Sequence, residues 1–288
     1  MHRIDTSTAQ VDKFGAGKNG FTGGNPQTGE LPTALDADFF DSVQEEIAAV
    51  IESAGISLDK SKNNQLAAAI KSLFGAGRLI GTQSFTTSGS TSYKPTPGTK
   101  KVKVIITGGG GGPTGCAGNG TTGNFSGAGG GAGGTLIFTV PVSDSTTYSI
   151  FVAGGGTAGT GNNSGTDASA TTAFGCSAPG GARGAINGTN TTAGGGGGSS
   201  FVVAGNATSI AQISGGDGSD GQAGANFIFA GNGGASYWGG GGRAGAAGGA
   251  VGKGYGSGGG APYDSGKTGT AYAGGVGRNG ICVIEEYS

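Results

Sequence analysis

The sequence has very few of the residues that usually carry enzyme chemistry or bind metals. Its 288 residues include one histidine, three cysteines, one methionine and one tryptophan. The histidine, His2, lies at the N-terminus, and no Ser-His-Asp or Cys-His site can be assembled around it. Cys116, Cys176 and Cys282 are far apart and show no metal-ligand or CxxC spacing, so we expect free or buried thiols. The sequence therefore predicts neither an enzyme nor a cofactor.

Charge and long apolar runs are also scarce. Charged residues make up 11% of the chain, and the formal net charge is −1. Residues 101–288 have seven basic and seven acidic side chains and no basic stripe, which argues against nucleic-acid binding. No run approaches the roughly 18 apolar residues of a membrane-spanning helix. The segment MHRIDTSTAQ also lacks the apolar core of a secretory signal, so we expect no membrane insertion.

Glycine, by contrast, is abundant, at 71 residues. Residues 1–100 contain 12 glycines and residues 101–288 contain the other 59, so the chain has at least two regions, divided near residues 80–100. This composition often indicates disorder. Glycine tracts can also form polyproline-II-like helices with three residues per turn, which hydrogen-bond to one another through the backbone. The Ala, Ser, Asn and single aromatic residues within the tracts favour this ordered packing over a flexible linker.

Residues 1–78 are predicted to form an arm and a helical region. Residues 1–35 are polar and rich in turn signals, which predicts an extended arm that needs a partner to become ordered. Helices are predicted over 36–54, with Asp36 or Asp38 as N-cap, and over 59–74, with Asp59 as cap. Because both are short, residues 36–78 are expected to form a helical hairpin or a trimerisation region. The apolar stripes are Phe40, Val43, Ile47, Val50 and Ala54, then Leu66, Ala69, Ile70, Leu73 and Phe74.

Residues 79–288 are predicted to be a glycine-rich β domain. Strands are expected over 78–87, 91–95, 100–107, 134–142, 146–153, 171–175, 199–205, 226–231 and 280–287. The runs 134–142 and 146–153 are separated by Ser-Asp-Ser, which predicts a hairpin. The fold class is thus mostly β with polyglycine-II-like segments and a small helical N-terminal region.

Two short motifs suggest ligands but lack the structural context that they need. GAGKNG (15–20) matches GxGxxG, yet no strand precedes it and no helix follows it, so no nucleotide site is predicted. GGDGSDG (215–221) resembles a calcium-binding turn but has too few ligands, and a solvated turn explains it better.

The aromatic and arginine residues within the glycine tracts are the candidate binding residues. Trp, Tyr and Arg dominate binding hot spots because they offer a large contact area with few rotatable bonds. The segment SYWGGGGRAGAAGGAVGKGYGSGGGAPY (236–263) is nearly half glycine and includes the only tryptophan of the chain. The alternative for each ring is that it fills a gap in a thin core. As a group we expect the following to be receptor-binding: Tyr237, Trp238, Arg243, Tyr255 and Tyr263.

Several stretches of the sequence resemble those of a known family. The stretches VDKFGAGKNGFTGGNPQTG and FFDSVQEEIAAVIE, within residues 1–74, closely resemble the N-terminal segment of tail fibre proteins of phages and prophages of enteric bacteria. The stretches VKVIITGGGGGPTG, GAGGTLIFTVPVSDSTTYSIFVAGGG, TAGGGGGSS and GGVGRNGICVIEEY resemble the glycine-rich domains at the ends of phage tail proteins, including adhesins built from polyglycine helices. The chain departs from those adhesins because it has its own attachment segment.

The resemblance implies a homotrimeric tail fibre in a virion or a tailocin-like particle, made in the bacterial cytoplasm. Residues 1–35 would attach to a baseplate or tail protein. The glycine-rich region would bind a bacterial surface receptor, either lipopolysaccharide or an outer-membrane protein. One alternative is a structural spike or cap without receptor binding. A depolymerase of surface polysaccharide is a third interpretation, although such enzymes use a long β-helix with paired acids, which this sequence lacks.

Overall fold

The computed structural model of the protein describes residues 2–75, 77–119, 122–187, 191–222 and 229–288. The chain divides into two compact units, Met1–Arg78 and Leu79–Ser288, and each is described by itself. Helices occur in the first unit and strands in the second. The predicted fold class, mostly β with a small helical region, is confirmed.

The first unit contains two helices, α1 (Ala37–Ser53) and α2 (Gln65–Gly75). As predicted, Asp36 caps α1, since its Oδ1 accepts a hydrogen bond from the Phe39 N–H at 2.7 Å. The second helix begins later than the predicted start at residue 59. Asp59 closes a turn instead of capping the helix, because its Oδ1 accepts from the Ser61 N–H at 2.9 Å.

Residues 2–35 form a series of turns, which differs from the extended arm predicted from the sequence. Isolated bridges join Gln10 to Gly20 and Asn25 to Glu30. Gly24 adopts φ +73°, and a Cβ there would lie 2.7 Å from the Glu30 carbonyl oxygen, so a tight turn at this position requires glycine. The ring of Phe21 meets that of Phe39 in α1 at 5.3 Å, which holds the turns against the helix.

The predicted apolar stripes of the two helices remain largely exposed within the first unit. The buried side chains of α1 are Ala48 and Ile51, which lie outside the predicted stripe. In α2 the buried residues are Gln65 and Ala69. The exposed apolar side chains include Phe40 at 49%, Ile47 at 42%, Ile70 at 48% and Phe74 at 76%. The two helices contact each other, but they bury little of their apolar surface in doing so.

The strands of the second unit are numbered in chain order. They are β1 (Leu79–Phe85), β2 (Gly89–Tyr93), β3 (Lys101–Thr107), β4 (Ala117–Asn119), β5 (Thr122–Asn124), β6 (Thr135–Pro141), β7 (Tyr148–Val152), β8 (Thr171–Ala173), β9 (Cys176–Ala178), β10 (Ala185–Ile186), β11 (Thr191–Ala193), β12 (Thr208–Ile213), β13 (Gly221–Gln222), β14 (Gly245–Ala246), β15 (Pro262–Tyr263) and β16 (Ile281–Tyr287).

Two antiparallel sheets, ordered β1-β16-β3-β6-β12 and β2-β7-β8-β9, form a sandwich. Alternate residues of the central strands, such as Val102, Val104 and Ile106, are fully buried, as expected for strands with one covered face. The core joins side chains of both sheets: Tyr93, Val102, Val104, Ile106, Leu136, Phe138, Val140, Ile150, Val152, Ala173, Cys176, Ala178, Cys282 and Ile284.

The prediction of a hairpin between residues 134–142 and 146–153 is wrong. β6 pairs with β3 and β12, whereas β7 pairs with β2 and β8. Both strands bury a face in the same core, so the Ser-Asp-Ser turn carries the chain from one sheet to the other. The predicted strand 199–205 is reduced to a single bridge between Val202 and Ser177. Residues 226–228 of the predicted strand 226–231 lie outside the described residues, and residues 229–231 belong to no named strand.

The glycine-rich segments pack beside the sandwich as a lattice of extended helices with three residues per turn. Segment 129–134 shows the period directly, because residues three apart donate to the same neighbouring segment. Gly129 donates to Ser219 and Ala132 to Gly216. In a second neighbour, Gly130 donates to Gly259 and Gly133 to Gly256. In a third, Gly131 donates to Ala182 and Gly134 to Pro179, and all six backbone N–H···O=C distances are 2.8–3.0 Å. The neighbours are antiparallel to this segment.

This central segment has six neighbours, arranged hexagonally. It donates to three segments and accepts from three others, which contain residues 108–114, 195–198 and 231–234. Segments 108–116, 125–136 and 256–262 are buried throughout their length. Their polar backbone groups are therefore satisfied by one another, and the lattice needs little hydrophobic core. The predicted polyglycine-II-like packing is confirmed.

Close approach of the helices explains why the tracts need glycine. A Cβ at Gly111 would lie 2.0 Å from the Ala182 carbonyl oxygen, and one at Gly258 would lie 1.9 Å from that of Gly130. Neither glycine has a positive φ, so the requirement is steric and does not come from the backbone angle.

Candidate functional site

The lattice has two ends that differ in structure. At the sheet end, residues 107–108, 134–135 and 280–281 pass directly between the lattice and strands β3, β6 and β16. At the opposite, distal end, the segments are joined by the strand pairs β4–β5, β10–β11–β13 and β14–β15 and by residues 263–272. The bridges Cys116–Tyr272 and Ser126–Tyr263 tie this end together. The distal end is therefore a set of short connections held by a stiff lattice.

The five predicted binding residues do not lie together at one end of the lattice. Tyr255 precedes segment 256–262 at the sheet end, and Tyr263 follows it at the distal end. Eight residues at about 3.1 Å each place the two tyrosines roughly 25 Å apart. The five residues therefore do not form one contact surface, although they are close in sequence.

Trp238 is held by a structural contact at the sheet end. Its Nε1 donates a hydrogen bond to the Thr107 Oγ1 at 2.8 Å, and its ring lies edge-on to that of Tyr237 at 5.1 Å. Thr107 is fully buried at the end of β3. Trp238 is half-buried, so its indole donor and part of its ring serve the junction of sheet and lattice.

Tyr237 and Tyr255 are the exposed aromatic residues at the sheet end, with 50% and 37% of their surface accessible. Ser236 joins their two segments, because its Oγ donates to the Tyr255 carbonyl oxygen at 2.6 Å. The sequence pattern correctly placed rings on glycine-rich segments. It could not show that these two rings and Tyr263 occupy different ends of the same lattice.

Arg243 and Tyr263 lie farther along the lattice than the sheet-end residues. Arg243 is exposed beside segment 258–260, and its carbonyl oxygen accepts from the Ala250 N–H at 2.8 Å. Tyr263 belongs to β15, which pairs in parallel with β14, and it is half-buried. Of the five predicted residues, Tyr263 is the one that lies at the distal end.

A buried aspartate that sequence reasoning missed organises the distal loop after Tyr263. Asp264 is 2% exposed, and its Oδ2 accepts from the Gly269 N–H at 2.9 Å and from the Thr268 hydroxyl at 3.3 Å. Gly269 and Lys267 both have positive φ, which produces a compact loop. The run DSGKTG is rich in residues that favour turns, so the sequence did contain a signal for a loop here.

The cysteines are buried free thiols, as predicted. Burial raises the pKa of Cys282 to about 12, and burial followed by the nearby Asp264 carboxylate raises the pKa of Cys116 to about 12. Both thiols are thus protonated and unreactive at neutral pH. Within the described ranges, the acidic, histidine and cysteine side chains form no cluster of three that could hold a metal ion. No described helix is long and apolar enough to cross a membrane.

Comparison with known proteins gives two findings. The family model described as "Glycine-rich domain" matches residues 86–287, which covers the lattice and the sandwich apart from β1. A second match is to "Uncharacterized protein StfP" of Escherichia coli (strain K12), with 62% identity over 73 residues. That match covers 25% of this chain and 35% of the relative, so the two proteins share only part of their length.

Proposed function

The chain belongs to the glycine-rich domain family, and on this basis we propose that it is a tail-fibre adhesin of a phage, prophage or tailocin. In this proposal the first unit attaches the protein to a baseplate or tail protein. The distal end of the glycine lattice binds a receptor on the bacterial surface. The protein would then be a virion component that performs no catalysis.

The observation that carries the proposal is the lattice itself. Its buried backbone hydrogen bonds hold the segments in place relative to one another, with little side-chain packing between them. The lattice presents short connections at its distal end. Binding loops are commonly supported by a rigid scaffold of this kind. The first residues of this unit, in β1, pair with Tyr287 at the end of the sandwich farthest from the lattice. The distal end thus lies roughly 50 Å from that entry point.

The attachment role is supported by the resemblance of residues 1–74 to tail fibre N-termini. The exposed apolar faces of α1 and α2 support assembly of identical chains, since they bury little within the first unit. A homotrimer would cover these faces and present three copies of the distal end, which increases avidity.

Two alternatives make different use of the same unit. A purely structural spike or cap would need the stiff lattice but no receptor. A polysaccharide depolymerase would need paired acids, and the acids of the glycine-rich unit that are close in sequence are Asp217 with Asp220 and Glu285 with Glu286. Asp217 and Asp220 accept hydrogen bonds from the backbone N–H groups of Gly197 and Gly194. Glu286 is buried and its carboxylate accepts four hydrogen bonds, which suits a structural role.

Binding of the fluorescently labelled full-length chain to enteric bacteria tests the proposal. We expect binding to some strains, and loss of binding on bacterial mutants that lack either a lipopolysaccharide portion or one porin.

Substitutions in the protein locate the contact. As a binding hot spot, Tyr263 should on substitution to Ala weaken binding by about tenfold or more, with an unchanged melting temperature. Loss of cell binding in Tyr237→Ala but not in Tyr263→Ala would assign the receptor contact to the sheet end of the lattice. A folded chain that binds no strain would favour the structural alternative, and release of sugar from lipopolysaccharide would favour the depolymerase.

A further inference from the structure

A cleft at the sheet end of the lattice has the features of a small-ligand site. Its volume is about 290 Å³. The smallest typical ligand pockets have a volume of about 300 Å³. It therefore suits a ligand of about the size of one sugar ring. The side chains that line it are those of Thr86, Val251, Tyr255, Val276, Arg278 and Asn279.

Backbone hydrogen bonds fix the two walls of this cleft relative to each other. The Gly252 N–H donates to the Val276 carbonyl at 3.1 Å, and the Arg278 N–H donates to that of Ser257 at 2.9 Å. The Gly256 N–H likewise donates to the Asn279 carbonyl at 2.7 Å. Segments 251–257 and 276–279 are thus joined at three points, so little ordering entropy would be lost on binding.

The polar groups of the cleft include several hydrogen-bond donors, one of which is a cation. The Arg278 side chain is exposed and lines the cleft, and its guanidinium forms no hydrogen bond or ion pair with another described residue. The Asn279 Oδ1 is occupied by the Gly155 N–H at 3.1 Å, which leaves the amide NH₂ to donate. No acidic side chain of the described residues lines the cleft, and Lys253 lies in the segment between Val251 and Tyr255. The electrostatic environment favours an anion.

The apolar groups favour a ligand that also has a flat face. Val251 and Val276 are 44% and 43% exposed, and Tyr255 adds an aromatic ring that is 37% exposed. An inorganic anion would use only Arg278 and leave this surface uncovered. A pyranose ring combines an apolar C–H face, which would pack on Tyr255, with hydroxyls that would pair with Asn279 and Thr86.

We propose that this cleft binds a monosaccharide unit that bears a carboxylate or a phosphate. Arg278 forms a charge-assisted, bidentate pair with the anionic group, as its planar guanidinium suits both kinds of oxyanion. Tyr255 and the two valines contact the ring. This inference goes beyond the proposed function, because it concerns the sheet end and not the distal end of the lattice.

Titration of the full-length chain with simple sugars tests the inference. The probes are glucuronate and glucose 6-phosphate, with glucose and inorganic phosphate as the matched neutral and sugar-free controls. Saturation-transfer NMR reports which ligand protons touch the protein, and calorimetry gives the affinity. We expect one or both acidic sugars to bind, and their ring protons to be saturated. Glucuronate and glucose 6-phosphate separate the carboxylate from the phosphate source.

Variants assign the binding to the cleft. Arg278→Gln should weaken acidic-sugar binding by about tenfold or more, since a charge-assisted pair is lost, whereas Arg278→Lys should retain part of it. Tyr255→Ala should reduce saturation of the ring protons. Arg183→Gln removes the same charge from an exposed ion pair with Asp167 and should leave binding unchanged. Melting temperatures verify that each variant is folded.

Several outcomes would overturn the inference. They are an affinity for phosphate equal to that for glucose 6-phosphate, binding of glucose equal to that of glucuronate, unchanged binding in Arg278→Gln, or no binding of either acidic sugar. Each is distinguishable from failure of the proposed function, which is measured by attachment of the same chain to whole cells. Attachment of the wild-type chain to cells with no binding of either acidic sugar would reject the cleft and leave the adhesin in place.

Discussion

At the scale of single residues, Glu286 has a tightly constrained environment. Its carboxylate accepts hydrogen bonds from the Tyr93 hydroxyl at 2.7 Å, from the Thr96 hydroxyl at 2.6 Å and N–H at 3.1 Å, and from the Gln83 amide at 3.0 Å. Burial acts to raise the pKa of Glu286, but the bonds from Thr96, Tyr93 and Gln83 together outweigh it and hold the pKa below its ordinary value. This residue therefore connects β16 to β1, β2 and the loop after β2.

The depressed pKa makes stability depend on pH. Because the folded-state pKa lies below the unfolded value of about 4.3, the contribution of Glu286 is fully present above that value. It is lost as the pH falls through the folded-state pKa. We expect Glu286→Gln to cost about 1 kcal/mol at pH 7 and Glu286→Ala about 3 kcal/mol, since the alanine leaves several donors unpaired.

Denaturant unfolding between pH 7 and pH 3 measures both effects. The difference in unfolding free energy between the wild type and Glu286→Gln should shrink as the pH falls below about 4. Glu285, which also titrates in this range, is present in both proteins and cancels in the comparison. A difference that stays constant with pH would show that the carboxylate charge contributes nothing to stability.

Trp238 and Tyr263 separate structural from binding roles. Trp238→Phe removes the donor to Thr107 and should lower the unfolding free energy by about 1 kcal/mol, with cell attachment unchanged. Tyr263→Ala should leave the unfolding free energy unchanged and should weaken cell attachment. Thermal melts and cell-binding assays on the same preparations of both variants check this prediction. A loss of cell binding in Trp238→Phe with no loss of stability would show that Trp238 belongs to the binding surface.

Sequence reasoning identified these residue types but not their grouping. Tyr237, Tyr255 and Tyr263 lie in one glycine-rich stretch, yet a polyglycine helix spans the lattice between the last two. Residue spacing alone does not reveal which segments are straight. Arg278 went unnoticed for the related reason that its neighbours in the cleft, Val251 and Tyr255, belong to a different stretch of the sequence.

At the scale of elements, each polyglycine helix depends on the absence of side chains where segments approach. Gly111→Ala should lower the unfolding free energy by about 3 kcal/mol or more, because its Cβ would lie 2.0 Å from the Ala182 carbonyl oxygen. Gly196→Ala is the matched control, since a Cβ there meets nothing within 4 Å. It should be neutral or slightly stabilising, by up to about 1 kcal/mol. Equal effects of the two substitutions on the unfolding free energy would refute the steric account.

The elements themselves were largely predictable, but their pairing was not. The apolar alternation of residues 100–107, 134–142 and 280–287 predicted strands close to β3, β6 and β16. The antiparallel pairing of β16 between β1 and β3 joins the last strand of the unit to strands near its start, which no local pattern encodes. β12 was missed because TSIAQI, an edge strand exposed along most of its length, has a weak apolar pattern.

At the scale of the whole molecule, the exposed apolar surface of the first unit predicts assembly. Size-exclusion chromatography with light scattering should give a trimer for the wild type. Ile70→Glu places a charge in α2, where Ile70 is 48% exposed, and should yield a monomer with an intact glycine-rich unit. Lys60→Glu, an exposed change of charge outside both helices, should remain trimeric.

Loss of the trimer should also weaken attachment to cells by about 100-fold through reduced avidity. The affinity of each single chain for its receptor should not change. A monomeric wild type would contradict the assembly, and a monomeric Ile70→Glu variant that attaches as tightly as the wild type would remove avidity from the proposal.

The three-residue period of the lattice also constrains how genes for such a protein can change in length. Insertion of one or two residues into a segment such as 129–134 would turn every later N–H toward the wrong neighbour. Insertion of three residues advances the segment by one full turn and returns each donor to its partner segment. Tolerated insertions and deletions within these helices should therefore occur in multiples of nine nucleotides, a second reading frame imposed by packing in addition to that of translation.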